Sequence, residues 1–255
     1  AYDIEQDIAK TQILTILENV KIAKESKRPM CQDTGIQTFF VEVGTDFPHV
    51  SKLENLITQA VKTATKEIPL RPNTVYPLSN KNSNDNTGEY IPYITWDFIE
   101  GKDVKIIAFP RGGGSENMSR LGMLNPHLGI EGVKDFVVEE MSKIAANSCP
   151  PNIVGVGVGG GADISLKLAK RALLRPVGIR NENKNIAAIE GELIKKINAS
   201  GIGPMGLGGK TTVLDVHVEM AHRHPASLPV GIVVQCWANR RAKMTIDSKG
   251  KWKVE

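Results

Sequence analysis

Three cysteines stand in the chain, Cys31, Cys149 and Cys236, and each has polar, turn-forming neighbours. They sit in Pro-Met-Cys-Gln-Asp-Thr-Gly, Asn-Ser-Cys-Pro-Pro-Asn and Gln-Cys-Trp-Ala-Asn-Arg-Arg. A cysteine used as a small hydrophobe belongs inside an apolar run, whereas these fall at the expected ends of strands or helices. Thiolates arriving from three loops could share a metal centre with one coordination position left open. An open position marks a metal that does chemistry. Spacing alone does not demand this: there is no Cys-x-x-Cys, and three unrelated thiols is the plainer reading of the spacing. An odd count excludes a complete disulfide framework.

Glycine-rich segments supply the second kind of candidate. Gly112-Gly113-Gly114-Ser115-Glu116-Asn117 follows an apolar run at 104–109, and glycines there permit positive φ and close approach of backbone to a ligand. Gly155-Val-Gly157-Val-Gly159-Gly160 satisfies G-x-G-x-x-G between a strand and a helix. It lies mid-chain and lacks the acidic residue at the end of a following strand, so dinucleotide binding is disfavoured. Free amides at that helix start could still hold an anion. The run Gly203 to Thr211 imitates a P-loop, but Pro204 stands where its first glycine belongs. His217, His222 and His224 cluster without any His-Glu-x-x-His, and by themselves they read as surface or hydrogen-bonding histidines. Arg71, in Leu-Arg-Pro-Asn, is a candidate for bidentate recognition of a carboxylate.

The elements that must carry these residues read as α/β. Ile4, Ile8, Ile13, Leu14, Leu17 and Val20 form a helical stripe ending before Pro29. Ser51 and Glu54 form a capping-box signature ahead of Leu53, Leu56, Ile57, Ala60, Val61 and Ala64, a helix that stops at Pro69. Further helices are expected over 133–144, from Gly159–Gly161 to Leu174, and over 184–198. Strands are expected at 36–43, 104–109, 153–158, 213–218 and 230–235, with a closing hairpin in the tail. Residues 79–88 are a polar loop. A single domain over residues 1–255 with a mixed sheet flanked by helices is the expected architecture, with 79–103 the place where two lobes would divide.

Composition narrows the class. A chain of 255 residues, 41% hydrophobic, is long enough to bury a core without staples. Its net charge is +4 with Lys and Glu interspersed, which gives no reason to expect nucleic acid. No apolar stretch approaches the ~20 residues of a membrane span, so no membrane is expected. The acidic, helical start does not read as a signal sequence, and unpaired cysteines point to a reducing cytoplasm.

Taken together, the segments resemble those of the class I, iron–sulfur fumarases and the related L(+)-tartrate dehydratases. The resemblance is carried by Cys31-Gln-Asp-Thr-Gly35, Gly112-Gly-Gly-Ser-Glu-Asn117 and Cys149-Pro-Pro-Asn-Ile-Val-Gly-Val-Gly. Gly201-Ile-Gly-Pro-Met-Gly-Leu-Gly-Gly-Lys-Thr and His224-Pro-Ala-Ser-Leu-Pro-Val with Cys236 complete it, in the family's order and across most of the chain. The resemblance implies a [4Fe–4S] cluster held by Cys31, Cys149 and Cys236, with one iron left without a protein ligand. It places Gln32, Asp33, Arg71, Gly113 and Gly114 against a small dicarboxylate substrate. It makes His224, working with Asp33, a proton-handling pair. Arg111 stands where many members have Lys, which keeps the charge. By this resemblance, the second, C-terminal domain of single-chain members is expected on a separate chain. The chain therefore resembles the α subunit of a two-subunit enzyme, expected as α2β2 with a β chain completing the site. Hydration of fumarate to L-malate is the first expected activity and dehydration of L(+)-tartrate the alternative. A non-catalytic iron–sulfur sensor and a three-cysteine zinc site are the readings from other classes. A sensor has no use for Gln32, Asp33, Arg71 and His224.

Overall fold

The computed structural model describes all of Ala1–Glu255. In chain order the elements are α1 (Asp7–Ser26), β1 (Thr38–Gly44), α2 (Leu53–Glu67), β2 (Tyr93–Ile99), β3 (Val104–Ala108) and the one-turn α3 (Gly113–Glu116). There follow β4 (Arg120–Leu124), α4 (Gly129–Ile144), β5 (Asn152–Gly160), α5 (Ala162–Ala172), α6 (Lys184–Asn198), β6 (Val213–Arg223), β7 (Leu228–Gln235), β8 (Ala242–Ile246) and β9 (Trp252–Val254). The fold is α/β with mixed sheets flanked by helices, the class the sequence led us to expect, although there are two sheets in place of one and residues 79–103 lie wholly within one compact unit. Its backbone divides into two compact units. The first is Ala1–Lys21 with Gly114–Asn239, and the second is Ile22–Gly113 with Arg240–Glu255.

The first unit is built on a four-stranded sheet ordered β4-β7-β5-β6. Strand β5 runs parallel to β6 and antiparallel to β7, and β7 pairs antiparallel with β4. Every residue of β7 is buried, in keeping with its near-continuous apolar sequence. Val154, Val156 and Val158 point from β5 into a core shared with Val137 and Met141 of α4 and Leu193 and Ile197 of α6. The alternate positions, Gly155 and Gly157, face α5. A Cβ on Gly157 would lie 1.9 Å from the Ser165 carbonyl oxygen, and one on Gly155 2.0 Å from that of Ala169. The Gly-x-Gly repeat is therefore a seat for a helix packed unusually close to its strand, and the anion site considered at this helix start is not needed to explain it.

The second unit has a five-stranded sheet ordered β2-β1-β3-β8-β9. Strand β2 is parallel to β1 and the remaining pairs are antiparallel. Leu53 and Ile57 of α2 pack on Val41, Val43, Val104 and Ile106. The expected closing hairpin is β8 and β9, whose turn is tied by Asp247 Oδ1 accepting from the amides of Lys249 and Lys251, both at 2.9 Å.

Two local expectations need correction. The Ser51/Glu54 capping box does not form: Val50–Lys52 make a 3-10 turn, and α2 starts at Leu53 with Lys52 as a cap lacking any side-chain bond. In α1 the residues buried are Ala9, Ile13 and Ala23, while Ile8, Leu14, Leu17 and Val20 are exposed, as is Ile4 ahead of the helix. The stripe marks a helix correctly, but only Ile13 of it turns inward, because the rest of the inward face uses the small residues Ala9 and Ala23, which hydropathy counts weakly. No helix is long and apolar enough to cross a membrane.

Candidate active site

Each unit carries part of the predicted residue set. In the second unit, the segment Cys31–Gly35 is clamped to Arg111–Gly113. Ile36 and Arg111 exchange backbone hydrogen bonds at 2.9 and 3.1 Å. Gly35 adopts φ +84°, and a Cβ there would meet the Arg111 backbone at 2.7 Å, so only glycine fits the crossing. This clamp fixes Asp33. Its Oδ2 accepts the Gly113 N–H at 2.8 Å, and its Oδ1 accepts the Gly35 N–H at 3.0 Å and the Asn73 Nδ2 amide at 3.3 Å. Arg240 Nη1 donates to the Asp33 carbonyl at 2.6 Å. Gly112 is glycine for a related reason, since a Cβ there would sit 2.8 Å from Asp33 Oδ2.

Arg71 is presented on the same frame. Its N–H is accepted by Thr34 Oγ1 at 3.0 Å, and its carbonyl accepts from Thr34 Oγ1 at 3.2 Å and from Asn86 Nδ2 at 3.1 Å. The backbone is held while the residue itself is exposed, as is Gln32 beside Asp33. Cys31 is half-buried.

In the first unit, Cys149 follows the 3-10 turn Ala145–Ser148 that extends α4, and it is exposed at φ +53°. That left-handed conformation is uncommon outside glycine. It is upheld by Asn152, which donates to the Ala145 carbonyl at 3.1 Å and accepts from Ser148 Oγ at 3.0 Å. Half-buried Cys236 comes directly after β7, and its N–H is accepted by Ser115 Oγ at 3.2 Å. The next amide, Trp237 N–H, donates to the Cys149 carbonyl at 3.3 Å. Two of the cysteines thus lie on backbone segments bonded to one another, with Gly114 and Ser115 alongside.

The glycine-rich run 201–211 folds back on itself. Gly203 has φ +68°, and a Cβ there would stand 2.1 Å from the Gly208 carbonyl oxygen. Met205 N–H donates to the Pro150 carbonyl at 2.8 Å, which places the loop next to Cys149. Buried Glu5 anchors its far end, accepting the Lys210 N–H at 2.9 and 3.0 Å. Burial pushes the Glu5 carboxyl up, but the amide bonds from Lys210 and Thr211 outweigh it and hold the group below its ordinary value.

Of the three clustered histidines, His224 and His222 are exposed and His217 is fully buried. His224 Nδ1 accepts the Ala226 N–H at 3.1 Å, so Nδ1 is the ring nitrogen held by the backbone. His217 lies between the Ala172 carbonyl, 3.0 Å from Nδ1, and Asp215 Oδ2, 3.1 Å from Nε2, and serves the interior of its unit. Asp33 and His224, expected as a pair, belong to different units.

The donors suited to a metal are the three thiols. None is in a disulfide, and within neither unit do three His, Cys, Asp or Glu side chains gather into a metal-holding group. The cysteines divide two and one, Cys149 and Cys236 against Cys31. Accessible soft donors on rigid turns fit an iron–sulfur centre in kind. Sequence reasoning passed over Thr34, Asn73, Asn86, Ser115 and Arg240, which hold the predicted residues in place. Thr34, Asn73, Ser115 and Arg240 sit inside segments already singled out, whereas Asn86, in the polar loop 79–88, carried no signal.

Within the second unit, a carboxylate held by main-chain amides lies on the same frame as an exposed arginine whose backbone is fixed. Comparison with known proteins gives the chain its class. The family model described as fumarate hydratase (Fumerase) matches residues 1–245, and the chain belongs to that family of hydro-lyases. A Methanocaldococcus jannaschii protein, provisionally named L(+)-tartrate dehydratase subunit alpha, is 50% identical over 249 residues, covering 95% of this chain and 87% of that one. The L(+)-tartrate dehydratase subunit alpha of Escherichia coli K12 is 41% identical over 233 residues, covering 91% and 77% respectively. A Shigella boydii protein of the same name matches to the same extent.

Proposed function

We propose that the chain is the α subunit of an iron–sulfur hydro-lyase that hydrates fumarate reversibly to L-malate once a separate β subunit completes its site. The observation that carries this reading is the Asp33 carboxylate on the Gly113 amide, on the same frame that presents Arg71. The frame already binds one carboxylate through main-chain N–H, and a dicarboxylate offers the same group. Arg71 takes one substrate carboxylate through its paired N–H donors. The Gly114 amide receives the other part of the substrate, with Gln32 beside it, while the Gly113 N–H, expected in the same role, is given to Asp33 Oδ2 and serves the site by fixing that carboxylate. Asp33, fixed through both oxygens, orients substrate beside the reacting carbons, and His224 moves a proton at Nε2.

Cys31, Cys149 and Cys236 would hold the [4Fe–4S] cluster. When bound, a cluster with one iron free of protein ligands supplies Lewis acidity toward a hydroxyl and a carboxylate. Cationic groups on the β subunit complete charge stabilisation. We take the assembly to be α2β2 and its place to be the cytoplasm.

The second reading is dehydration of L(+)-tartrate, favoured by the names of the three relatives. Anaerobic reconstitution with iron and sulfide, followed by iron analysis and assays of the αβ complex on fumarate, malate and L(+)-tartrate, tests both. We expect about four irons per chain, loss of the cluster absorbance in Cys236→Ser, and turnover of fumarate. Zinc in place of iron, or an undiminished spectrum in Cys236→Ser, would remove the cluster assignment. Activity on tartrate alone would move the substrate to the second reading.

A further inference from the structure

Asn86 lies in the polar segment 79–88, where the sequence offers no reason to look for function. It is nevertheless fully buried. Both ends of its amide are in use: Oδ1 accepts the Asn73 N–H at 2.7 Å, and Nδ2 donates to Thr65 Oγ1 and to the Arg71 carbonyl, each at 3.1 Å. Its backbone sits at φ +59°, a conformation that asparagine and aspartate tolerate and most residues do not. The three contacts are not scattered. Residues 71–73 form a short bracket with Arg71 at one end and Asn73, which donates to Asp33 Oδ1 and to the Gly35 carbonyl at 3.3 Å each, at the other. Asn86 grips this bracket at both ends from behind, and Thr65 in α2 supplies the anchor. Buried polar networks of this kind, when every member is satisfied, hold one geometry.

We infer that Asn86 is a positioning residue that sets where Arg71 presents its guanidinium relative to Asp33, and so acts on substrate affinity through Arg71. The inference rests on the reading of Arg71 as a carboxylate-binding residue. Its mark is a change in KM that depends on Arg71, because a displaced guanidinium weakens substrate binding and leaves the thiols untouched. General loss of structure would lower kcat, cluster content and yield together.

The test is a double-mutant cycle in the reconstituted αβ enzyme, with Asn86→Asp and Arg71→Ala alone and combined. Asn86→Asp keeps the Oδ1 acceptor and the backbone conformation but removes the Nδ2 donor to the Arg71 carbonyl and to Thr65 Oγ1. Asn86→Gly, which also accepts the positive φ, is the second variant should the aspartate not fold. Thr65→Val cuts the anchor's bond to the amide without touching residue 71, and serves as the structural comparison.

We expect Asn86→Asp to raise KM about fivefold, the worth of one such hydrogen bond, with kcat and iron content within about twofold. In the Arg71→Ala background the same substitution should add nothing, and Thr65→Val should lower the thermal midpoint with KM unmoved. An equal KM rise in the Arg71→Ala background, or a KM shift in Thr65→Val matching that of Asn86→Asp, would overturn the inference while leaving Arg71 in the site. An Arg71→Ala enzyme with unchanged KM would overturn the reading of Arg71 itself, and the inference with it.

Discussion

Asp215 shows how a single buried carboxylate is held charged in this protein. Burial would raise its pKa, but His217, the Gly178 N–H and Arg180 overcome it and lower the value from 3.8 to about 2. A carboxyl depressed in the folded state stabilises the fold above its unfolded pKa, and that contribution drains away as pH falls from about 4 toward 2. A shift of this size corresponds to about 2 kcal/mol. In urea unfolding, the parent chain should therefore lose about 2 kcal/mol more stability between pH 6 and pH 2 than Asp215→Asn, which is already weakened at pH 6. Parallel pH profiles for the two would show that the group does not titrate as argued. The sequence marked His217 as one of three clustered histidines that could hydrogen-bond, but it gave no sign of its partner Asp215 or of the burial of both. Cysteine is rare and was therefore conspicuous, whereas Asn73, Asn86 and Thr34 owe their roles to hydrogen bonds between segments remote in sequence. Composition has no means of pairing Asn86 with Arg71.

At the scale of elements, glycine has opposite meanings in β5 and α6. Gly155 and Gly157 admit α5 to van der Waals contact with the strand, and the missing methyl is required by the carbonyls of Ser165 and Ala169. Gly191, inside α6, has nothing within 4 Å of a built Cβ. Gly157→Ala should destabilise the fold by about 3 kcal/mol, as overpacking against a rigid carbonyl does. Gly191→Ala should stabilise it by about 1 kcal/mol through helix propensity. Paired denaturant titrations decide both, and a tolerated Gly157→Ala would mean that α5 rides further from β5 than the structure has it. The helices α2, α4 and α6 were legible because hydrophobic spacing is a local property. The strands β2 and β4 were not recognised. Strand β2 mixes exposed Tyr93, Phe98 and Ile99 with a buried Thr95, and β4 alternates weakly around Gly122, so neither shows a clean inward face. The inward face of α1 was misjudged because Ala9 and Ala23 do their packing without much hydropathy.

At the scale of the whole molecule there are two cores of unequal size. The first unit's is built from seventeen buried side chains, among them Val156, Val216 and Ile232, and the second's from seven, among them Val41 and Ile106. Apolar burial dominates local stability, so amide exchange should be slower along β5 and β7 than along β1 and β3. Equal protection in both sheets, with one unfolding transition, would mean that the two cores open as one. The two sheets also differ in where the chain completes them. All four strands of the first lie within residues 120–235, whereas β8 and β9 of the second begin at Ala242. On the ribosome, the first unit therefore has its whole sheet before the second does. Strand β3, made early, waits with one edge open until its antiparallel neighbour β8 is synthesised more than a hundred residues later. For that interval the nascent chain carries an unguarded strand edge, the form most exposed to mispairing with another copy.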